Sequence, residues 1–248
     1  MLHDDPTLPI TGRSFARRLD EPLSRLDRKL VEQVIDSVVV IKGPNRLIGQ
    51  GEVSRNVHIL KSGFAFRTLQ FKSKRSIVSV LVPGDFLDLP AHVLGKMDCN
   101  VDIADDVEVG LIKSQDLDEL MFARPTVAKA IYHSTILDSL VERKWIYTLQ
   151  QAKGPQRIAH LFCEIEARLR LAGFKPGSKI RTPLRQETIG ESCGMTAIHA
   201  SRCTVRLRSL GLANFKCGVI EVSNWGNLRQ FAKFDSDYLT GEITSVFN

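Results

Sequence analysis

The chain has 248 residues, 43% apolar and 25% charged, a composition that excludes a disordered, collagen-like or disulfide-scaffold protein. Its length suits two small domains better than one large one. The net charge of +6 is localised: residues 1–150 carry 20 basic and 20 acidic side chains, whereas residues 151–248 carry 14 and 8. A neutral front and a basic back point the back toward a polyanion, with a merely well-solvated domain as the alternative.

No apolar run approaches the roughly 18 residues of a membrane helix, so no membrane partner is expected. Met1-Leu2-His3-Asp4-Asp5 lacks the basic flank and apolar core of a signal peptide, so a cytoplasmic location is expected. Cys99, Cys163, Cys193, Cys203 and Cys217 are widely spaced and form no C-x-x-C pair. Neither a disulfide framework nor a zinc or iron–sulfur cassette is expected from them.

In chain order, Leu23, Leu26, Leu30, Val31, Val34 and Ile35 have helical spacing. From Ser37 to about Lys113, short β-branched runs such as Val38–Ile41, Val57–Leu60, Ile77–Val82 and Val107–Val109 are cut by turn residues. This spacing predicts a β-barrel or β-roll. Asp116–Phe122 reads as a short helix. Pro125 suits a first helical turn, and a long helix is expected from there to about Gln150. Its apolar stripe (Val127, Ala130, Ile131, Leu137, Leu140, Val141, Trp145 and Leu149) is wider than one partner needs. That width favours packing on a second copy; a core-facing helix in a monomer is the alternative. Gln151–Pro155 is the expected hinge, followed by a helix over 156–172 that Gly173 stops.

Residues 183–208 read as a helix-turn-helix. The first helix runs from about Gln186 to Cys193, Gly194 supplies a positive φ at the turn, and Thr196 caps the second helix. Ile189, Cys193, Ala200, Cys203 and Leu207 face inward, leaving Ala197, Ile198, Ser201, Arg202 and Arg206 outward. A helix of this kind fits the major groove. Arg202 suits a bidentate pair with guanine, while Gln186, Thr196 and His199 suit phosphates. Six basic and two acidic residues over 179–208 support the polyanion reading. Leu210–Phe215, Lys216-Cys217-Gly218 and Val219–Val222 then read as strand, tight turn and strand, a wing on which Lys216 meets a phosphate. Trp225–Lys233 reads as a closing helix.

This order of elements resembles the CRP/FNR family of bacterial transcription regulators over residues 22–240. Gly63-Phe64-Ala65 and Leu81–Phe86 resemble its β-roll signatures. Pro183-Leu184, Gln186, Ile189, Gly194 and Ser201-Arg202 fall on its helix-turn-helix pattern. Phe231-Ala232 and Phe234–Leu239 are similar to the C-terminal end of many alphaproteobacterial members. The resemblance implies an α+β fold: a cyclic-nucleotide-binding-like β-roll over 1–124, a dimerisation helix and hinge over 125–153, and a winged helix-turn-helix over 154–248. It also implies a homodimer on a palindromic promoter site, with RNA polymerase as a partner and activation as the commoner outcome.

The sequence departs from the family in three places. The phosphate-binding cassette here reads Gly84-Asp85-Phe86-Leu87-Asp88-Leu89-Pro90, with Asp98 nearby and no Arg from 76 to 123, so cyclic AMP is not the expected effector. No cysteine precedes Cys99, which argues against the family's N-terminal iron–sulfur cluster. His58, His92 and His133 are haem candidates by residue type only, so no cofactor is expected and the effector is left unnamed. Ile198 stands where many relatives have Glu; it suits a thymine methyl and cannot accept from cytosine. Within the helix-turn-helix, Cys193 and Cys203 are either a redox pair or small hydrophobes filling inward positions. Two other functions remain in view: a winged helix that binds protein, and a cupin-like enzyme. The latter would need a His-x-His pair that the barrel region lacks.

Overall fold

The structure, a computed structural model, describes residues 23–241. The N-terminal pentapeptide read for a signal sequence lies outside them. Two compact units are present among the described residues: 23–134 with 171–174, and 135–170 with 175–241.

In the first unit, α1 (Arg25–Gln33) forms where the leucine spacing predicts it, capped by the Ser24 hydroxyl accepting from the Asp27 amide. Seven strands follow: β1 (Ser37–Ile41), β2 (Asn45–Ile48), β3 (Asn56–Ser62), β4 (Ala65–Phe71), β5 (Lys74–Leu81), β6 (Asn100–Ile103) and β7 (Val107–Lys113). They make two antiparallel sheets, ordered β1-β7-β3 and β2-β6-β4-β5. Leu60, Ala65, Leu81, Leu87, Met97, Val101 and Val109 form one core. Val31, Val57, Ile59, Phe86, Ile112, Leu117, Val127 and Ile131 form a second core. That second core lies with α1, α3 (Ser114–Ala123) and the first turns of α4 (Pro125–Gln151). Buried Asp27 accepts from Ser24, Thr126 and Arg124, which ties α1 to the start of α4.

Gly63 has φ +83°, and a Cβ there would lie 2.8 Å from Val107 Cγ1, so the β3–β4 turn requires glycine. The cassette from Gly84 continues into a helix that pattern reading missed, α2 (Leu89–Leu94), too short to show a period. Asp85 and Asp88 are buried. Asp85 accepts from the Val82 amide, and Asp88 accepts from the His58 amide and contacts His58 Nδ1 at 2.6 Å. His92 pairs with Asp118, and His133 is half-buried on α4. Among the described residues, no group of three or more His, Cys, Asp or Glu could hold a metal ion. No helix among them is long and apolar enough to cross a membrane.

The second unit continues from α4 into α5 (Gly154–Leu171), β8 (Lys179–Arg181), α6 (Gln186–Cys193), α7 (Ala197–Ser209), β9 (Asn214–Lys216), β10 (Val219–Glu221), α8 (Trp225–Ala232) and α9 (Asp237–Thr240). The long helix, the break at Ala152-Lys153 and the following helix all appear where the sequence predicts them. Leu210–Ala213, expected as strand, is instead the turn that follows α7. Gly211 at φ +68° turns the chain back, and the Leu212 amide donates to Leu207 O at 3.1 Å. The closing helix ends at Ala232, where Lys233 takes a left-handed cap at φ +51°.

Candidate nucleic-acid interface

The helix-turn-helix is built from local signals. Thr188 Oγ1 accepts from the Arg185 amide at 2.7 Å and closes the start of α6. Gly194 at φ +65° ends that helix. Thr196 Oγ1 accepts from the His199 amide at 3.2 Å and starts α7. The last turn of α7 carries Arg206 and Arg208, which suit the negative end of the helix. Ile189, Cys193, Ala200, Cys203 and Leu207 are all buried, as the spacing predicts.

The outward face of α7 presents Ile198, which is 69% exposed, together with exposed His199, Arg202 and Arg206. Ala197 and Ser201 are half-buried beside them, and Thr196 is exposed at the cap. Val205, 50% exposed on the same face, is an addition to the sequence reading. Gln186 sits differently from the rest. Its Nε2 donates to Thr204 Oγ1 at 3.3 Å, and its Oε1 is buried and meets no donor among the described residues. In this state it links α6 to α7 rather than extending into solvent.

The wing contains three strands, ordered β8-β10-β9. Lys216 is exposed at the end of β9, just before a two-residue turn in which Cys217 and Gly218 have φ +49° and +75°. A Cβ on Gly218 would lie 2.4 Å from Thr182 O, so the turn and the chain entering α6 require glycine there. Pattern reading missed β8, whose Lys179 and Arg181 are exposed. Its exposed–buried–exposed alternation covers only three residues, too few to stand out, and only their charge marks them. Lys179 pairs with Glu221 at 2.9 Å and, with Asn214, holds that carboxyl below the usual range. Gly190 was also missed. A Cβ there would lie 2.7 Å from Met195 O, so α6 closes directly on its own turn.

The two inward cysteines are poorly suited to redox chemistry. Burial pushes both the Cys193 and Cys203 thiols up, and Arg157 opposes this only in part. A thiol held protonated reacts slowly. Brief peroxide treatment is therefore expected to leave DNA affinity unchanged in a Cys217→Ser variant, which lacks the exposed thiol of the wing turn. A large loss of affinity in that variant, with a sulfenic acid mapped to Cys193 or Cys203, would restore the redox reading.

Comparison with known proteins adds independent findings. Residues 156–231 match the family model of the Crp-like helix-turn-helix domain. No curated protein matches the chain by sequence. Among solved structures, FixK2 from Bradyrhizobium japonicum is similar with a TM-score of 0.69 at 18% identity, over 79% of this chain and 96% of that one. A CRP/FNR-family transcriptional regulator from Thermus thermophilus gives 0.63 at 13% identity, over 80% and 99%. The c-di-GMP responsive global regulator CLP from Xanthomonas campestris also gives 0.63, at 11% identity, over 79% and 99%. At these identities the likeness is one of fold.

Proposed function

We propose that the chain is a DNA-binding transcription regulator of the CRP/FNR type that binds a palindromic promoter site as a homodimer, a reading supported by the Crp-like helix-turn-helix match over 156–231 and by the likeness of fold to FixK2. The observation that carries this reading is the two-sided character of α7. One face is sealed by Ala200, Cys203 and Leu207, while Ile198, His199, Arg202 and Arg206 stand outward, and the wing residue Lys216 is exposed as well. Arg202 reads guanine, Ile198 and Ala197 meet a thymine methyl, and Thr196, His199, Ser201, Arg206 and Lys216 set the register on phosphates. Gln186 joins the phosphate contacts by leaving Thr204.

The dimer reading rests on α4. Tyr132, Ile136, Ile146 and Tyr147 are 63%, 56%, 58% and 61% exposed on that helix. Apolar side chains left outward on one long helix suit a second copy. Residues 125–153 are then the dimerisation helix and hinge, with the β-roll before them and the DNA-binding domain after them. By analogy with that family type alone, the proposal extends to a cytoplasmic location, RNA polymerase as a partner and promoter activation.

Selection from random duplex DNA with the purified chain tests this. A palindrome with half-site centres about 10–10.5 bp apart is expected. Arg202→Ala is expected to cost about 1–3 kcal/mol of binding and to relax one position in each half-site. Enrichment of no sequence at low salt, or an unchanged base preference in that variant, counts against the assignment.

A further inference from the structure

The short break between α4 and α5 is held rather than free, and one side chain holds it. The Arg157 guanidinium donates from all three of its nitrogens to backbone carbonyls. Nε reaches Ala152 O at 2.9 Å, Nη2 reaches Leu149 O at 2.7 Å and Nη1 reaches Cys193 O at 3.2 Å. Carbonyls at helix ends lack intrahelical donors, and Arg157 supplies them for the end of α4 and the end of α6 together. Two close approaches surround this clamp. A Cβ on Gly194 would stand 3.4 Å from Leu149 Cδ2, so the last turn of α4 lies on the turn of the helix-turn-helix. A Cβ on Gly154 would stand 2.7 Å from Cys203 Sγ and 2.8 Å from His199 Nε2, so the start of α5 lies against α7 itself.

We propose that Arg157 is a positioning residue for DNA recognition: through three carbonyls it fixes the turn of the helix-turn-helix, and hence α7, relative to the end of α4. Any input that moves the end of α4 then reaches α7 through this clamp rather than through a slack linker. A planar fork with fixed donor directions suits the task, and an ammonium does not. The inference rests on the DNA-binding reading for its consequence but not for its geometry, so it can be tested in the free protein as well.

The test compares the wild-type chain with Arg157→Met and Arg157→Lys. In the free protein, both variants are expected to shift the amide resonances of Met195 to Ala197 and the His199 imidazole signal. Unshifted resonances overturn the proposal whether or not the chain binds DNA. With the palindrome enriched by the wild type and a scrambled duplex of equal length as probes, both variants are expected to lose about 5- to 150-fold in specific affinity. Scrambled-duplex affinity and the salt slope stay unchanged. If Arg157 instead touches a phosphate, Arg157→Met lowers the salt slope by about one while Arg157→Lys binds as wild type, and the positioning role falls. Arg157→Lys keeps the aliphatic stem and the charge, so it preserves the test if Arg157→Met does not fold.

Discussion

Glu164→Ala destabilises the second unit by about 3–5 kcal/mol, the range for removing one partner from a buried charged network. Glu164 is 2% exposed on α5. Its Oε2 accepts the Tyr238 hydroxyl at 2.8 Å and lies 3.6 Å from His160 Nε2, and its Oε1 lies 3.7 Å from Arg168 Nη1. The His160 ring meets Trp145 and Phe234 edge-on at 5.2 Å and stacks with Tyr238. Residues 234–238 are held on α5 by this carboxylate and the His160 ring, and on α4 by Lys144, whose Nζ donates to Asp235 Oδ2 at 2.6 Å. Along α5, buried Glu166 takes Arg170 and Arg229, which adds α8 to the same helix. Burial pushes the Glu164 carboxyl up, but His160, Arg168 and Tyr238 together hold it below the usual glutamate range. A lowered folded-state pKa gives stability that is present above the unfolded value and lost as pH falls through the folded one. Denaturant titrations at neutral pH should show the full gap between wild type and Glu164→Ala. The gap should narrow progressively below about pH 4.3. Equal midpoints for the two proteins at neutral pH would refute the assigned weight of the network.

Gly190→Val is expected to abolish sequence-specific DNA binding. A Cβ at this position would meet Met195 O at 2.7 Å and both the Ala197 amide nitrogen and the Thr196 carbonyl carbon at 3.2 Å. All three are backbone atoms and cannot rotate away. The turn must therefore move, carrying the Thr196 cap and the first residues of α7, which the proposed function assigns to base edges. Overpacking of this kind costs about 1–3 kcal/mol of stability, and the displacement of α7 is the larger consequence for function. Fluorescence anisotropy with the selected palindrome, alongside near-ultraviolet circular dichroism, separates the two effects. Wild-type affinity in Gly190→Val would mean that α6 has room at its turn and that the close approach is incidental.

Much of this molecule is legible without coordinates because its signals are local. Helical spacing marks α1, α4 and α5; Gly194, with its positive φ, and Thr196, with its hydroxyl, mark the turn and cap between α6 and α7. The inward and outward faces of α7 follow from a period of 3.6, down to buried Cys203 and Leu207. Short elements are not legible: α2 has six residues and β8 three, too few for a period to show. The misplaced wing strand has the same origin, since Leu210 to Ala213 suits a strand by composition while Gly211 closes a helix there.

Residue order alone is enough for the succession of elements, for the helix-turn-helix and its cap, and for which side of α7 is buried and which is exposed, because each depends on residues a few positions apart. Three properties arise only from the folded arrangement: Gln186 turns toward Thr204, burial pushes the inward thiols up, and Arg157 serves two helix ends at once. They depend on which distant backbone carbonyls and side chains converge on one group. Convergence of that kind leaves no periodic mark along the chain.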